Sequence, residues 1–376
     1  MARIAVTGLR GVPASWGGIE HHCEQLYSRL AALGHDITIY ARAPYIPKNI
    51  RWYKGMKIVI MPTIDKSGFE AFVHTFLSVI DIMIAKPQIV HIYGQGPCLF
   101  SWIPRLVRPR MRVFFTCLGL DWQRKKWSKL FSAVIRLGEV FSSIFPHYLI
   151  TVSKELKKYY KEHYGVNAYY IPSGARKMDK RPPHFIHRFG LKGQDYFLFV
   201  GRLVPEKRID DVIKAYIEKK RKSKLVIVGD SAGTESYTTF LKSLPGSGES
   251  VLFAGYQYGN NLEEFYSSAR AFVTASELEG LPLTLLEALS YGLPCVASDI
   301  PPHKEILRYQ MDLVFPTGRV DCISNLIDRV DNMSNDDLTK CGKRAANILD
   351  KDFNWDDIAL VTDRLYRESL ADFKSP

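Results

Sequence analysis

Ala271-Phe272-Val273-Thr274-Ala275-Ser276-Glu277-Leu278-Glu279-Gly280-Leu281-Pro282-Leu283-Thr284-Leu285-Leu286-Glu287 reads as a strand, a polar turn and the start of an apolar helix. The turn carries Glu279 and closes on Gly-Leu-Pro; the helix carries Glu287 eight positions later. Two carboxylates and the free N–H groups of a helix's first turn would therefore face one ligand. Carboxylates accept hydrogen bonds from hydroxyls, whereas helix N-termini favour phosphate through unpaired N–H groups and the positive dipole end. Hydroxyls on both sides of a phosphate describe a sugar nucleotide.

The same strand–helix alternation fills the rest of the chain and predicts α/β architecture with parallel sheets. Strands are expected at Arg3–Thr7, Asp36–Ala41, Lys57–Met61, Gln88–Tyr93, Arg112–Cys117, His147–Val152 and Ala168–Ile171. Helical patterns lie between them at Ile19–Leu33, Phe69–Ala85, Leu99–Leu106, Trp127–Ser142 and Lys154–Tyr164. The polar stretch Lys177–His184 interrupts the pattern as a linker. Strands resume at Tyr196–Val200, Lys224–Val228, Ser250–Ala254, Ala271–Thr274, Pro294–Ala297 and Asp312–Phe315. Two Rossmann-like, doubly wound domains are expected, 1–180 and 181–354, facing a central cleft that holds the ligand beyond the C-terminal strand ends. A last helix, Trp355–Leu370, within residues 355–376, would return to brace the first domain.

A length of 376 residues suits two such domains. Charge is divided unevenly: residues 1–190 carry 28 Lys and Arg against 11 Asp and Glu, a net of +17, while the remainder carries −5. The first half should prefer anionic surroundings. Six scattered cysteines without a C-x-x-C pair suit a reducing, cytoplasmic compartment. The first residues read as a strand rather than a signal peptide. The longest apolar stretch, Phe69–Ile84, includes Glu70, His74 and Asp81 and is too short and polar to span a bilayer.

Two further loops carry chemistry. Gly8-Leu9-Arg10-Gly11 follows the first strand, and Trp16-Gly17-Gly18-Ile19-Glu20 opens a helix. Glycines there let backbone approach a phosphate or sugar, although a glycine-rich turn needed only for packing would look the same. The dinucleotide fingerprint G-x-G-x-x-G is absent, which argues against a dehydrogenase. In the second half, Gly201-Arg202-Leu203-Val204-Pro205-Glu206-Lys207 follows a strand. Arg202 supplies a bidentate fork and Lys207 a point charge that can converge on a diphosphate.

These segments resemble the retaining nucleotide-sugar glycosyltransferases of family 4, which have the GT-B fold. The likeness is carried by Phe199-Val200-Gly201-Arg202-Leu203…Lys207, Leu225-Val226-Ile227-Val228-Gly229, Phe253-Ala254-Gly255, Glu279-x7-Glu287 and Leu289–Ser298. The first half is similar to a bacterial rhamnosyltransferase branch that builds surface polysaccharides. There the shared residues are Gly8–Pro13, Trp16–Glu20, Gly94–Pro97 and Gly119-Leu120-Asp121-Trp122-Gln123-Arg124…Lys126-Trp127. The resemblance implies that Arg202 and Lys207 hold the donor pyrophosphate, beside Gly201, and that Glu287 binds the ribose. It places Glu279 and Gly280 at the donor sugar and the backbone of Leu283 and Thr284 at the phosphate. Gly17 and Gly18 would approach the diphosphate, with Arg10, Trp16 and Asp121 on the acceptor side. Many relatives carry a histidine where this chain has Leu118; its role would fall to Asp121 or to backbone. His91, on a neighbouring strand, reads more readily as a satisfied core histidine.

No side-chain nucleophile and no D-x-D carboxylate pair for a metal stands out, so no metal or cofactor is expected. Retaining transfer without a protein nucleophile is described as front-face displacement, with catalysis resting on positioning and on Arg202, Lys207, Glu279 and Asp121. The donor expected first is dTDP-rhamnose, against UDP- or GDP-hexoses. Arg124–Arg136 mixes cations, a tryptophan and an apolar face, as helices adsorbed on anionic membranes do. That fits an acceptor on a polyprenyl diphosphate lipid and a peripheral protein on the cytoplasmic face. Nucleic acid is the other partner class for a basic half, but no recognised module is present. A GT-B sugar-nucleotide epimerase is the remaining alternative.

Overall fold

Among the described residues every strand pairing but one is parallel, in two sheets that belong to two separate units of the chain. The computed structural model describes residues 1–14, 17–64, 69–123, 127–231, 233–244, 250–308 and 310–371. Met1–Ser173 with Trp355–Pro376 forms the first unit and Gly174–Asn354 the second.

The first unit runs β1 (Arg3–Thr7), α1 (Gly18–Ala32), β2 (Asp36–Arg42), β3 (Trp52–Tyr53), β4 (Met56–Met61), α2 (Phe69–Ala85) and β5 (Ile89–Tyr93). It continues through α3 (Gln95–Cys98), α4 (Trp102–Val107), β6 (Arg112–Cys117), α5 (Lys129–Ile144), β7 (Tyr148–Thr151), α6 (Lys154–Tyr164) and β8 (Tyr169–Tyr170). The sheet order is β3-β4-β2-β1-β5-β6-β7-β8. Its one antiparallel pair, β3 with β4, is a hairpin turned at Lys54-Gly55, where both φ angles are positive. That two-residue strand is too short to leave a periodic trace in the sequence. The helix expected over Leu99–Leu106 is regular only from Trp102, after a turn that follows α3: Pro104 has no N–H to donate to Phe100, and Ile103 bonds that carbonyl in a tighter turn.

The second unit runs β9 (Tyr196–Val200), α7 (Ile209–Ile217), β10 (Lys224–Val228), α8 (Glu235–Ser243), β11 (Val251–Gly255), α9 (Gly259–Ser268) and β12 (Ala271–Thr274). Then come α10 (Leu283–Ser290), β13 (Cys295–Ser298), α11 (Pro301–Ile306), β14 (Val314–Phe315), α12 (Val320–Asp331) and α13 (Asn335–Asp352). Its order is β11-β10-β9-β12-β13-β14, parallel throughout. Tyr196-Phe197-Leu198-Phe199-Val200 is buried on both faces, as a central parallel strand must be. The polar stretch Lys177–His184 belongs to this unit: the Arg181 N–H donates to Ser267 and those of His184 and Phe185 to Glu264, all on α9.

The final helix, α14 (Trp355–Ala371), lies against α1 in the first unit. Arg29 pairs with Asp356 and His35 with Asp363, each at 2.6 Å, while Trp355, Ile358 and Tyr366 enter the first core.

Each sheet reverses its winding once. In the second unit the chain steps from β9 to β10 and β11, then returns to the other side of β9 with β12. Ligands of open α/β sheets bind beyond the strand ends at such a reversal. The loops leaving β9 and β12 are those of Arg202–Lys207 and Ser276–Gly280.

Candidate functional site

Beyond β9 the chain passes Gly201 and Arg202 and closes a tight turn at Pro205–Lys207 before α7. Gly229, at the end of β10, approaches so closely that a Cβ there would stand 1.8 Å from the Gly201 carbonyl oxygen. Only glycine permits that approach. The Glu277 N–H donates to Glu206 O at 2.9 Å and ties the β12 loop to the β9 loop. Lys207 Nζ then reaches Glu279 Oε1 at 2.5 Å, with both side chains 13% exposed. Burial pushes the Glu279 carboxyl up, but the Lys207 ammonium and the Ser276 hydroxyl outweigh it and hold the carboxyl below its usual range. Arg202 is half-buried in the same loop.

Behind this pair lies His303 on α11, fully buried. Its Nδ1 is 3.0 Å from the Ser298 carbonyl oxygen, which can only accept, so Nδ1 carries the proton of the neutral ring. Ser298 Oγ donates to Ser276 O at 2.6 Å, and Ser276 in turn bonds Glu279. Burial lowers the His303 pKa to about 4, although Glu279 pulls the other way.

Past Pro282, α10 begins with the N–H groups of Leu283 and Thr284; the first intrahelical bonds come from Leu285 and Leu286 to Pro282 O. One turn on, Glu287 Oε2 accepts from Tyr266 OH at 2.9 Å, and the Tyr266 ring stacks on Tyr291 at 5.4 Å. At the end of β11, Tyr256 and Tyr258 stack on one another at 6.0 Å. A hollow of about 630 Å³ lined by Lys177, Gln194, Ala269, Tyr291 and Pro294 opens at the opposite, N-terminal end of the same sheet, away from these loops.

In the first unit, Gly17 takes φ of 85° at the head of α1, where a Cβ would stand 2.6 Å from Glu20 Oε2. Gly18 is the first residue of that helix. Glu20 accepts from the Arg10 N–H at 2.9 Å, and the Arg10 guanidinium lies 4.7 Å from the centre of the Tyr45 ring. Trp16 and residues 124–126 lie outside the described residues. Asp121 begins a short turn whose N–H donates to Gln95 Oε1 at 2.9 Å. Gln95 is held in turn by Glu139, fully buried on α5, which also accepts from Trp122, Tyr159 and Tyr164. Leu118 packs on the first core. His91 is a core histidine: Nδ1 meets Tyr366 and Tyr27, and Nε2 meets Thr116 at 2.7 Å. Among the described residues no cluster of three His, Cys, Asp or Glu is arranged to hold a metal ion.

The second unit thus gathers Gly201, Arg202, Lys207, Glu279, Gly280, Leu283, Thr284 and Glu287 at one end of one sheet. Arg10, Gly17, Gly18 and Asp121 lie in the other unit. The sequence reading missed His303, Tyr266 and Glu139, each buried and each holding a singled-out residue or its support. The polar residues of Ser298–His303, next to a strand end, were the available signal for the first.

Residues 185–348 match the model of glycosyl transferases group 1, and residues 16–176 match that of Glycosyltransferase Family 4. Together they span most of the chain. The chain is a glycosyltransferase of GT-B type. The transferase is 25% identical over 98% of its length to an uncharacterized glycosyltransferase of Methanocaldococcus jannaschii, of which the match covers 98%. It is 29% identical to the UDP-Gal:alpha-D-GlcNAc-diphosphoundecaprenol alpha-1,3-galactosyltransferase of Escherichia coli, over 65% of this chain and 66% of that one. Its fold is that of Anabaena HepE, a structure in complex with UDP and glucose: TM-score 0.81, 15% identity, with 98% of this chain and 100% of that chain covered.

Proposed function

We propose that the transferase moves a hexose or deoxyhexose from a nucleoside-diphosphate sugar to a lipid-linked saccharide, with retention of anomeric configuration, in surface-polysaccharide synthesis. The observation that carries this reading is the Lys207–Glu279 pair at the sheet's reversal, beside the N-terminus of α10. Lys207 and Arg202 take the pyrophosphate, with the N–H groups of Leu283 and Thr284. Glu287 accepts from the ribose hydroxyls, Glu279 from those of the sugar, and Tyr256 and Tyr258 flank the base. As the bond from the anomeric carbon to the diphosphate oxygen breaks, the acceptor oxygen bonds that carbon from the same face. The acceptor proton passes to the departing diphosphate oxygen, and the two cations offset the charge that develops there. No metal is needed in this scheme.

The E. coli relative's acceptor, a diphosphoundecaprenol-linked sugar by its name, favours a polyprenyl diphosphate acceptor here. Such a lipid places the transferase at the cytoplasmic face of an anionic membrane as a peripheral protein. A thermal-shift panel of UDP, GDP, dTDP and their sugars tests the donor: a ligand at 100 times its Kd stabilises by about 2.7 kcal/mol. dTDP-rhamnose and UDP-galactose head the panel. Transfer of radiolabel from the stabilising donor to an undecaprenyl-diphosphate sugar, with retention seen by NMR, is the expected outcome. A donor consumed without acceptor would instead indicate an epimerase, and no shift with any nucleotide would overturn the reading.

A further inference from the structure

One face of the first unit is apolar where a protein surface is ordinarily polar. The connections β4–α2–β5, β5–α4–β6 and β6–α5–β7 all step the same way along the sheet. Right-handed crossovers therefore place α2, α4 and α5 in one layer, on the face opposite α1. The outer side of α2 shows Phe69, Phe76, Ile80 and Ile84, at spacings of seven, four and four that align them on one stripe. On α5, Leu130, Leu137 and Ile144 recur every seventh residue; on α4, Trp102, Leu106 and Val107 face out. Ile84, Leu106, Leu130 and Ile144 are 72%, 61%, 75% and 61% exposed.

These stripes adjoin. At one end the Phe69 ring meets Phe131 of α5 edge-on at 5.1 Å, and midway Phe76 meets Phe100, just before α4. At the other end Arg108 bonds the Met83 carbonyl and Arg105 bonds His147, drawing together the ends of all three helices. Charge decides what such a plateau fits. Among the described residues, 82–123 and 127–138 contain seven Lys and Arg and a single acid, Asp121. The acids of the layer itself turn to protein partners: Glu70 to Arg42 and Tyr45, Asp81 to Tyr40, Glu139 to its four donors. Lys86, Arg110, Lys129 and Arg136 meanwhile remain exposed around the apolar residues.

We infer that this α2–α4–α5 face is the surface by which the transferase docks on an anionic bilayer, its apolar side chains in the interface and its cations on the headgroups. The inference rests on the lipid-linked acceptor proposed above. It extends the membrane contact from the 124–136 segment that the sequence singles out to the outer sides of three helices.

Vesicle flotation tests it, using phosphatidylcholine alone and an equal mixture with phosphatidylglycerol. Wild-type protein is expected to float with the anionic vesicles at least tenfold more than with the neutral ones, and less as salt rises. The triple variant Ile84→Glu, Leu106→Glu, Leu137→Glu, altered only at exposed positions, should lose at least tenfold of that binding while keeping its melting temperature and its thermal shift with donor nucleotide. Wild-type protein that stays with no vesicle, or a variant that floats undiminished, overturns the inference. So does self-association of the wild type, lost in the variant, without flotation; the face would then cover a second copy. Flotation without any nucleotide shift would leave the docking face standing and remove the donor reading instead.

Discussion

Replacing Lys207 by Met separates what the Lys207–Glu279 pair does for stability from what it does for chemistry. Both side chains are 13% exposed, so removing the ammonium strands a mostly buried carboxylate. Breaking a buried pair from one side costs about 3–5 kcal/mol. The Ser276 hydroxyl still bonds Glu279, which puts the expected loss near the lower end, about 3 kcal/mol. In the double variant Lys207→Met, Glu279→Gln no charge is left unpaired, and most of that stability should return. Transfer should not return with it: losing one donor to a developing oxyanion lowers the rate on the order of a hundredfold, about 2.7 kcal/mol. Urea denaturation read by tryptophan fluorescence gives the first quantity and single-turnover transfer the second. Wild-type turnover by Lys207→Met would refute the diphosphate role, and a double variant no more stable than the single one would refute the pairing argument.

Three further outcomes follow from the same geometry. His303→Leu strips the donor from the buried Ser298 carbonyl and should cost about 1–3 kcal/mol; His303→Asn, whose amide can replace Nδ1–H, should recover most of it in the same urea titration. Glu287→Ala should weaken nucleoside-diphosphate binding by calorimetry at least tenfold, whereas Tyr266→Phe, which only frees Glu287 Oε2 from one bond, should change it less than threefold. Stability should fall in two stages on acidification. Burial lowers His22 and His74 to about 3 and His303 to about 4, so below pH 6.5 the unfolded chain takes up protons that the native one does not. The Glu279 contribution, whose carboxyl lies below its ordinary 4.5 in the fold, is complete above that pH and lost as pH drops through the depressed value. Glu279→Gln should flatten only the second stage in a pH series of urea midpoints.

The fold was legible because buried parallel strands are short β-branched or aromatic runs. Arg3–Thr7, Tyr196–Val200 and Lys224–Val228 stand where the sequence predicts them to the residue. The loops after β9 and β12 were legible for a related reason: a cation or carboxylate just past a strand end must sit at the edge of the sheet, where ligands bind. What stayed hidden was partnership. Nothing in the sequence pairs Lys207 with Glu279, seventy-two residues on, or sets His303 behind Ser298 and Ser276. The four donors converging on Glu139 are likewise invisible along the chain, since α5 reads as an amphipathic helix whether its buried acid is satisfied or not. The docking face was half legible. The basic end of Lys129–Ile144 is a local signal, but Phe69–Ala85 reads only as an apolar helix until the sheet order shows which side faces outward.

The place of α14 bears on how the polypeptide is born. Tyr27, His91 and Tyr93 lie along the first quarter of the chain, yet the hydroxyl that completes their buried cluster comes from Tyr366. On the ribosome the early strands must therefore wait, with that polar knot open, until α14 has been made, while Gly174–Asn354 has all its own strands before α14 and can mature first. A transcript truncated just before Trp355 would release a complete second lobe tethered to an unfinished first one.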